Sequence, residues 1–263
     1  MGLIEWLKLP ETRCIKDLDD PATTLLHANI IQKKPFLRRL YTDFYRELGK
    51  AISNDTENKV YIELGSGGGF IKEVIDNVIT SDILELQTVD KVFSVLDMPF
   101  KEASVDAFFM IDVLHHITEP RTFFNEAIRC LKVFGRIVMI EPANTLWSRF
   151  IYKNFHHEPF DPQAQWALED VGPVSHANGA MPWIIFSRDR EIFEKEFPQL
   201  QIVRMYNHTP LRYLLSGGLT LRQLVPSFTY ILVKAIEYIL SPMNNVLGMF
   251  QTIELEKSVP LFK

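Results

Sequence analysis

The sequence predicts an α/β protein built on a doubly wound, mostly parallel seven-stranded sheet, with an amphipathic helix ahead of it and a helical and aromatic cap formed by insertions. Three observations predict this. Strand-like and helix-like patterns alternate from Val60 to Glu141, the signature of a parallel sheet with crossovers. The first strand pattern opens directly into a glycine run, Gly65-Ser66-Gly67-Gly68-Gly69. Three acids, Asp82, Asp97 and Asp112, fall at the ends of the following strand patterns, where an open sheet takes its ligand.

Taken in order, residues 1 to about 33 read as irregular. From Lys34 the stretch KPFLRRLYTDFYRELGKAI places Phe36, Leu37, Leu40, Phe44, Tyr45 and Leu48 on one helical face. Residues 1–58 thus form an N-terminal helical segment, and 59–263 the sheet domain. The strands are 60–64, 78–82, 91–97, 105–111 and 137–141, and residues 70–75 have helical spacing. Between Asp82 and the third strand only residues 83–90 are left, fewer than a full crossover helix needs. The helix from Lys34 is the nearest candidate to cover the sheet face left bare. TEPRTFFNEAIRCLK is a helix with Thr118 as N-cap, Pro120 in its first turn, and Phe124, Ala127, Ile128 and Leu131 as its buried stripe. Gly135 closes the turn into the fifth strand. RDREIFEKEFP is the last sheet helix, and LQIVRMYNH and FQTIELEK are the sixth and seventh strands.

Composition limits the function. At 263 residues, 47% of them hydrophobic, the chain buries a full core. A net charge of -5 offers no global field for nucleic acid. Two cysteines, Cys14 and Cys130, lie far apart without metal-ligand spacing and suit a reducing compartment. The N-terminal residues show no secretory pattern, and the expectation is a cytoplasmic protein.

Glycines between a strand and a helical pattern let backbone N–H groups approach a ligand closely. Phe70 stands where a dinucleotide fingerprint wants its third glycine, which speaks against a nicotinamide cofactor. An acid ending the second strand suits ribose hydroxyls, and one after the third suits an adenine amino group.

The pieces ELGSGGG, SDI, LDMPFKEASVD, DVLHHI and LKVFGRIVMIEP, in this order, resemble the class I S-adenosylmethionine-dependent methyltransferases of small molecules. The resemblance covers residues 60–142. It implies a Rossmann-like sheet and S-adenosyl-L-methionine lying across the strand ends. Glu63, Gly65, Ser66, Gly67 and Gly69 would surround its amino-acid part, Asp82 and Ile83 its ribose, and Asp97 and Met98 its adenine. Asp112 and the segment through His115 would border the sulfonium. Rival readings are a non-catalytic binding protein that keeps the fold and a nicotinamide-dependent oxidoreductase.

Two insertions, at about 142–187 and 209–248, supply the acceptor side. The first is rich in aromatics and histidine, too long for an ordinary loop, and reads as a lid over the pocket. Within it FHHEPFD carries His157 and Glu158, candidates to orient the acceptor and take its proton; His115 and His116 are further candidate bases. Adjacent histidines do not easily converge on one ion, and no metal is expected. The second insertion holds SFTYILVKAIEYIL between Pro226 and Pro242, roughly 22 Å as a helix against about 30 Å of bilayer hydrocarbon. It is read as covering the acceptor entrance, with packing on the sheet and contact with a membrane surface as alternatives. The acceptor is expected to be a small, apolar or lipid-like molecule, without nucleic acid.

Overall fold

A computed structural model describes residues 6–13, 17–52, 58–156, 158–168, 172 and 175–259. Its sheet has seven strands: β1 (Tyr61–Glu63), β2 (Val78–Asp82), β3 (Lys91–Val92), β4 (Val105–Ile111), β5 (Leu131–Pro142), β6 (Leu200–His208) and β7 (Phe250–Lys257). Their order is β3-β2-β1-β4-β5-β7-β6. The first five pair in parallel, and β7 runs antiparallel to both β5 and β6. The order reverses between β1 and β4, so the ends of β1, β2 and β4 converge on one crevice, the position expected for a ligand.

The central strands are buried on both faces, and their apolar side chains, Ile62, Phe108, Phe109, Val138 and Ile140, belong to one continuous core. Helix α1 (Pro21–Lys33) occupies a stretch that the sequence reading left irregular. Its signal was local: Asp20 caps the helix by accepting from the Ala22 N–H at 2.8 Å, and Pro21 takes the first helical position. Its apolar periodicity is weak: Ile30 and Ile31 are buried, while Thr23, Thr24 and His27 line a cavity. Helix α2 (Pro35–Gly49) buries Phe36, Leu37, Leu40, Phe44, Tyr45 and Leu48 as expected, and Tyr41 as well.

Residues 83–90 hold no helix, as their number requires. Helix α2 does not take over that edge. Its Phe44 ring lies 5.2 Å from Phe250 on β7, and its C-terminal neighbour Ala51 accepts from Arg136 on β5 at 2.9 Å. Both residues of β3 remain exposed.

Several boundaries move. Residues 70–75 make only a 3₁₀ turn, Ile71–Glu73, because the glycine run leaves too few residues before Val78 for a full crossover helix. Helix α3 (Pro120–Cys130) has Glu119 at its N-cap without a side-chain bond, so Thr118 is not the cap; the Thr118 carbonyl instead accepts from Leu168 N–H at 3.2 Å. The α3 stripe shifts to Phe123, Phe124, Ala127 and Cys130. Gly135 is not a turn between elements: β5 starts at Leu131 and absorbs residues 132–135 as a bulge against Val105 and Ala107. Strand β3 is cut to two residues instead of 91–97.

Further helices are α4 (Leu146–Phe155), α5 (Arg190–Glu196), α6 (Arg212–Ser216), α7 (Tyr230–Leu240) and α8 (Asn244–Leu247), besides a helical turn at Met181–Trp183 that runs into a π-helix at Ile184–Arg188. Helix α4 begins with a capping box between Thr145 and Ser148. Helix α7 is fastened by the two charges that break its apolar run. Glu237 accepts from the Leu211 and Arg212 N–H groups at 2.8 and 2.7 Å and pairs with the Arg212 guanidinium, while Lys234 and Arg212 both reach Asp43 on α2 at 2.7 Å. This places α7 behind α6, away from the cavity, so the segment 227–240 does not cover an acceptor entrance. Ile231, Leu232, Tyr238 and Ile239 are left exposed, Tyr238 to 81%. Among the described residues no helix is long and apolar enough to cross a membrane.

Candidate active site

The ends of β1, β2 and β4 open into a cavity of about 980 Å³. One end is bounded by the glycine loop, Ser81, Asp82 and Ile83, the other by aromatic side chains from four separated parts of the chain: Tyr41, Tyr152, Phe160 and Tyr213. Helix α1 and the residues before it close a further side with Thr24, His27 and Ile31.

The glycine loop is held by backbone geometry that side chains oppose. Gly65 and Gly67 have φ of +62° and +49°, and a Cβ on Gly65 would lie 2.6 Å from Val113 Cγ2. The loop is tied to β2: Ser66 N–H donates to the Ser81 carbonyl at 2.8 Å and Gly67 N–H to Asp82 Oδ2 at 2.8 Å. Asp82 Oδ1 also accepts from Leu84 N–H at 3.0 Å. Asp82 therefore shapes the loop as well as facing the cavity. Gly69, by contrast, is pressed between the Tyr45 hydroxyl and the Ser66 carbonyl, although it borders the cavity too.

Glu63 ends β1 beneath this loop. Its Oε2 is buried without a hydrogen-bond partner among the described residues. Burial raises its pKa to about 8 against hydrogen bonds from Ser66 and Tyr45 that lower it, and the Asp82 charge adds to the rise. A buried acceptor with an open position, beside backbone freed by two glycines, fits the ammonium of an amino-acid moiety.

Asp112 follows β4 with φ of +57°, a conformation costly for any residue but glycine and stored here at the cavity wall. Burial raises its pKa to about 8; His115 opposes the rise, and Glu141 and Glu158 add to it. The turn after Asp112 is organised by Glu141 from β5. Its Oε1 accepts from Val113 and Leu114 N–H at 2.9 and 2.7 Å, and its Oε2 lies 2.7 Å from His115 Nδ1. The His116 Nδ1 donates to the His176 carbonyl at 2.8 Å.

Glu158 comes to the same place from the first insertion. Its carboxylate stands 3.5 Å from His115 Nε2 and 3.7 Å from His116 Nε2. Burial disfavours charge on His115, but its bonds to Glu141 and Glu158 and their charges outweigh this and raise its pKa well above the usual imidazole value. Burial and the neighbouring His115 lower His116 to about 4. Glu158 is held well below the usual carboxylate range by His115, His116 and His156 in spite of its burial.

The fold thus brings together Glu63, Gly65, Ser66, Gly67, Gly69, Asp82, Ile83, Asp112, His115, His116 and Glu158 around one cavity. His157 lies outside the described residues. Asp97 and Met98 are not at the cavity. With β3 ended at Val92, the chain turns outward, Asp97 N–H bonds the Ser94 carbonyl at 3.1 Å, and Asp97 is exposed. Met98 is buried against α3 instead, its N–H donated to Glu126 at 3.0 Å and its carbonyl accepting from Arg129 at 2.9 Å. Ser94, Val95 and Leu96 line the cavity in their stead. Glu141, which the sequence offers as a base or as a structural hydrogen-bonding group, takes the structural role; sequence reasoning missed Tyr41, Tyr152 and Tyr213 in the wall, since their periodicity resembles that of any core aromatic.

Residues 62–139 match the family described as a methyltransferase domain, Methyltransf_11. No curated protein matches the chain. Among solved structures, a geranyl diphosphate methyltransferase in complex with S-adenosylmethionine is 15% identical with a TM-score of 0.50, over 96% of this chain and 97% of that one. A S-adenosylmethionine-dependent methyltransferase from Archaeoglobus fulgidus is 15% identical with a TM-score of 0.50, over 84% and 94%. The protein solved in complex with the Haloferax volcanii Trm112 methyltransferase activator is 13% identical with a TM-score of 0.52, over 93% and 98%. At such identity these likenesses speak for the fold, and the strand order with its antiparallel β7 is that of the class I methyltransferases.

Proposed function

Residues 62–139 are a methyltransferase domain that uses S-adenosylmethionine, and from this premise we propose that the chain methylates a small, apolar or lipid-like acceptor held against Glu158 and His115. The observation that carries the acceptor class is the apolar part of the cavity lining, with Tyr41, Ile151, Tyr152, Phe160, Tyr213 and Leu214, set beside a polar group that includes His115, His116, His156 and Glu158.

When bound, the cofactor would supply a methyl group on a positively charged sulfur, a leaving group that keeps the bonding pair. Glu63 would receive the ammonium, the glycine loop would admit the amino-acid part, and Asp82 and Ile83 would lie at the ribose. Ser94 to Leu96 take the adenine side. Asp112, at the mouth of β4, stabilises positive charge on the sulfur. Glu158 and His115, at the polar side of the cavity, would orient the acceptor. The aromatic wall excludes water and fixes the line of attack.

The test is incubation of the purified protein with methyl-labelled cofactor and fractionated cell extract. Label in the organic-soluble fraction, abolished by Asp112→Asn, is the expected outcome. Label confined to protein or RNA would overturn the acceptor class.

The exposed apolar residues add a proposed partner. Residues 145–155 contain no acid, and the single acid of 209–248, Glu237, is buried in its ion pair; with Lys234 paired to Asp43, the charges these segments leave outside are Arg149, Lys153 and Arg222. With Leu146 and Phe150 on α4 and Ile231, Tyr238 and Ile239 on α7 exposed beside them, this surface suits an anionic membrane, a source for a lipid-like acceptor. Flotation with anionic vesicles checks it. A protein that stays with the soluble fraction at physiological salt has no such contact.

A further inference from the structure

The cluster of His115, His116 and Glu158 has a geometry that acid–base chemistry leaves unexplained. A carbonyl can only accept, so the bond from His116 to the His176 carbonyl puts the proton on His116 Nδ1 and leaves a lone pair on Nε2. His115 is turned in the same way, with Nδ1 against the Glu141 carboxylate at 2.7 Å. Glu141 is itself fixed by two backbone N–H groups. Both Nε2 atoms therefore face Glu158, and the three ligand atoms lie within 4.8 Å of one another.

The spacings decide between two accounts. A buried imidazolium paired with a carboxylate closes to about 2.7–2.9 Å. His115 closes to 2.7 Å on Glu141 through Nδ1, but on its other side Nε2 stands 3.5 Å from Glu158 Oε2, and His116 Nε2 stands 3.7 Å from Glu158 Oε1. Ligands of a tetrahedral divalent ion with bonds of about 2.0–2.2 Å stand about 3.3–3.6 Å apart. A histidine that gives its second nitrogen to a carboxylate or a carbonyl is also the usual setting of a metal ligand.

We propose that His115 Nε2, His116 Nε2 and the Glu158 carboxylate bind a divalent transition-metal ion, of the zinc or cobalt type. The ligand set leaves a fourth position toward the cavity, where an oxygen or nitrogen of the acceptor would coordinate. Glu141 and the His176 carbonyl are the groups that orient the two imidazoles. His156 is not in the set, since its Nδ1 accepts from Glu158 N–H at 3.3 Å. An ion there would also lower the pKa of a coordinated acceptor hydroxyl. Only this role for the fourth position rests on the methyltransferase reading; the site itself does not.

The expected sequence spacing for such a site was missing because Glu158 stands far from His115 in the chain. Neighbouring histidines can both serve here because the 3₁₀ turn Leu114–His116 sets their rings side by side, with centroids 4.3 Å apart.

The experiment uses the whole protein, stripped with a chelator, desalted and titrated with Zn2+ by calorimetry and with Co2+ by visible absorption. One equivalent should bind, with the intense Co2+ bands of a site of low coordination number. His116→Ala and Glu158→Gln should each weaken binding about a hundredfold, and Glu141→Gln about tenfold, the size usual for a group behind a ligand. His27→Ala, a histidine elsewhere on the cavity, should change nothing. Circular dichroism shows whether each variant folds, and His116→Ala, at a half-buried position, keeps the test open if Glu158→Gln does not fold. Less than one equivalent bound, or affinity unchanged in His116→Ala, overturns the site. Titration of the same preparations with S-adenosylhomocysteine separates the two failures, since cofactor binding without metal binding leaves the methyltransferase reading standing.

Discussion

His115 and Glu141 meet at 2.7 Å across the ends of β4 and β5, two strands whose pairing of Ile111 with Ile140 sets both residues at the same level of the sheet. The contact joins a turn to a strand end, so its charge is read out as stability. The His115 pKa is raised in the folded chain. Its contribution is therefore fully present below the unfolded imidazole value of about 6.5 and is lost as pH rises through the folded value. In metal-free protein, Glu141→Gln should lower the His115 pKa, as followed by NMR of the ring, and remove that loss of stability at alkaline pH. An unchanged His115 titration would show that Glu158 alone holds the proton.

The carboxyl of Glu63, raised to about 8, should be largely protonated at neutral pH in the free chain. A cationic ammonium placed on Oε2 favours the charged form, so binding should release a proton. Affinity for S-adenosylhomocysteine should then rise with pH up to about 8 and level off. Calorimetry in buffers of different ionisation enthalpy counts the proton. Glu63→Gln should flatten the profile and weaken binding roughly ten- to a hundredfold. A wild-type profile already flat between pH 6 and 9 would place the ammonium elsewhere.

Asp82 has two tasks, since Gly67 and Leu84 N–H groups already occupy its oxygens at 2.8 and 3.0 Å. Asp82→Ala should cost about ten- to a hundredfold in S-adenosylhomocysteine affinity. It should also raise hydrogen exchange at Gly67, because that N–H loses its acceptor. Reduced affinity with unchanged exchange would assign Asp82 to the ligand alone, and unchanged affinity would remove it from the cofactor site.

Glu237→Ala leaves the buried Arg212 guanidinium with Asp43, Tyr230 and, at 3.5 Å, the Thr209 hydroxyl. Breaking a buried pair from one side costs about 3–5 kcal/mol, and the remaining partners put this one near the lower end. Urea unfolding should show a loss of about 3 kcal/mol with cofactor affinity little changed, since α7 lies away from the cavity. A loss under about 0.5 kcal/mol would mean that α7 is held by its apolar contacts instead.

The sequence by itself determined the sheet, the glycine loop and the acids that follow β1, β2 and β4. Those signals are local: the apolar character of a strand, the backbone freedom of Gly65 and Gly67, and an acid directly after an apolar run all act within a few residues. It also foretold the missing helix of 83–90, which is a matter of chain length. Tertiary structure decided the rest. Whether Asp97 faces a ligand depended on where β3 stops pairing, and whether α7 lies at the cavity depended on an ion pair from Glu237 to Arg212 and on Asp43, far away in sequence. Above all, Glu158 meets His115, and His115 meets Glu141, only because the sheet sets β4 beside β5 and the first insertion folds back over both. No spacing in the chain encodes that meeting; burial of the aromatic wall brings the three together, and the desolvation that follows sets their charges.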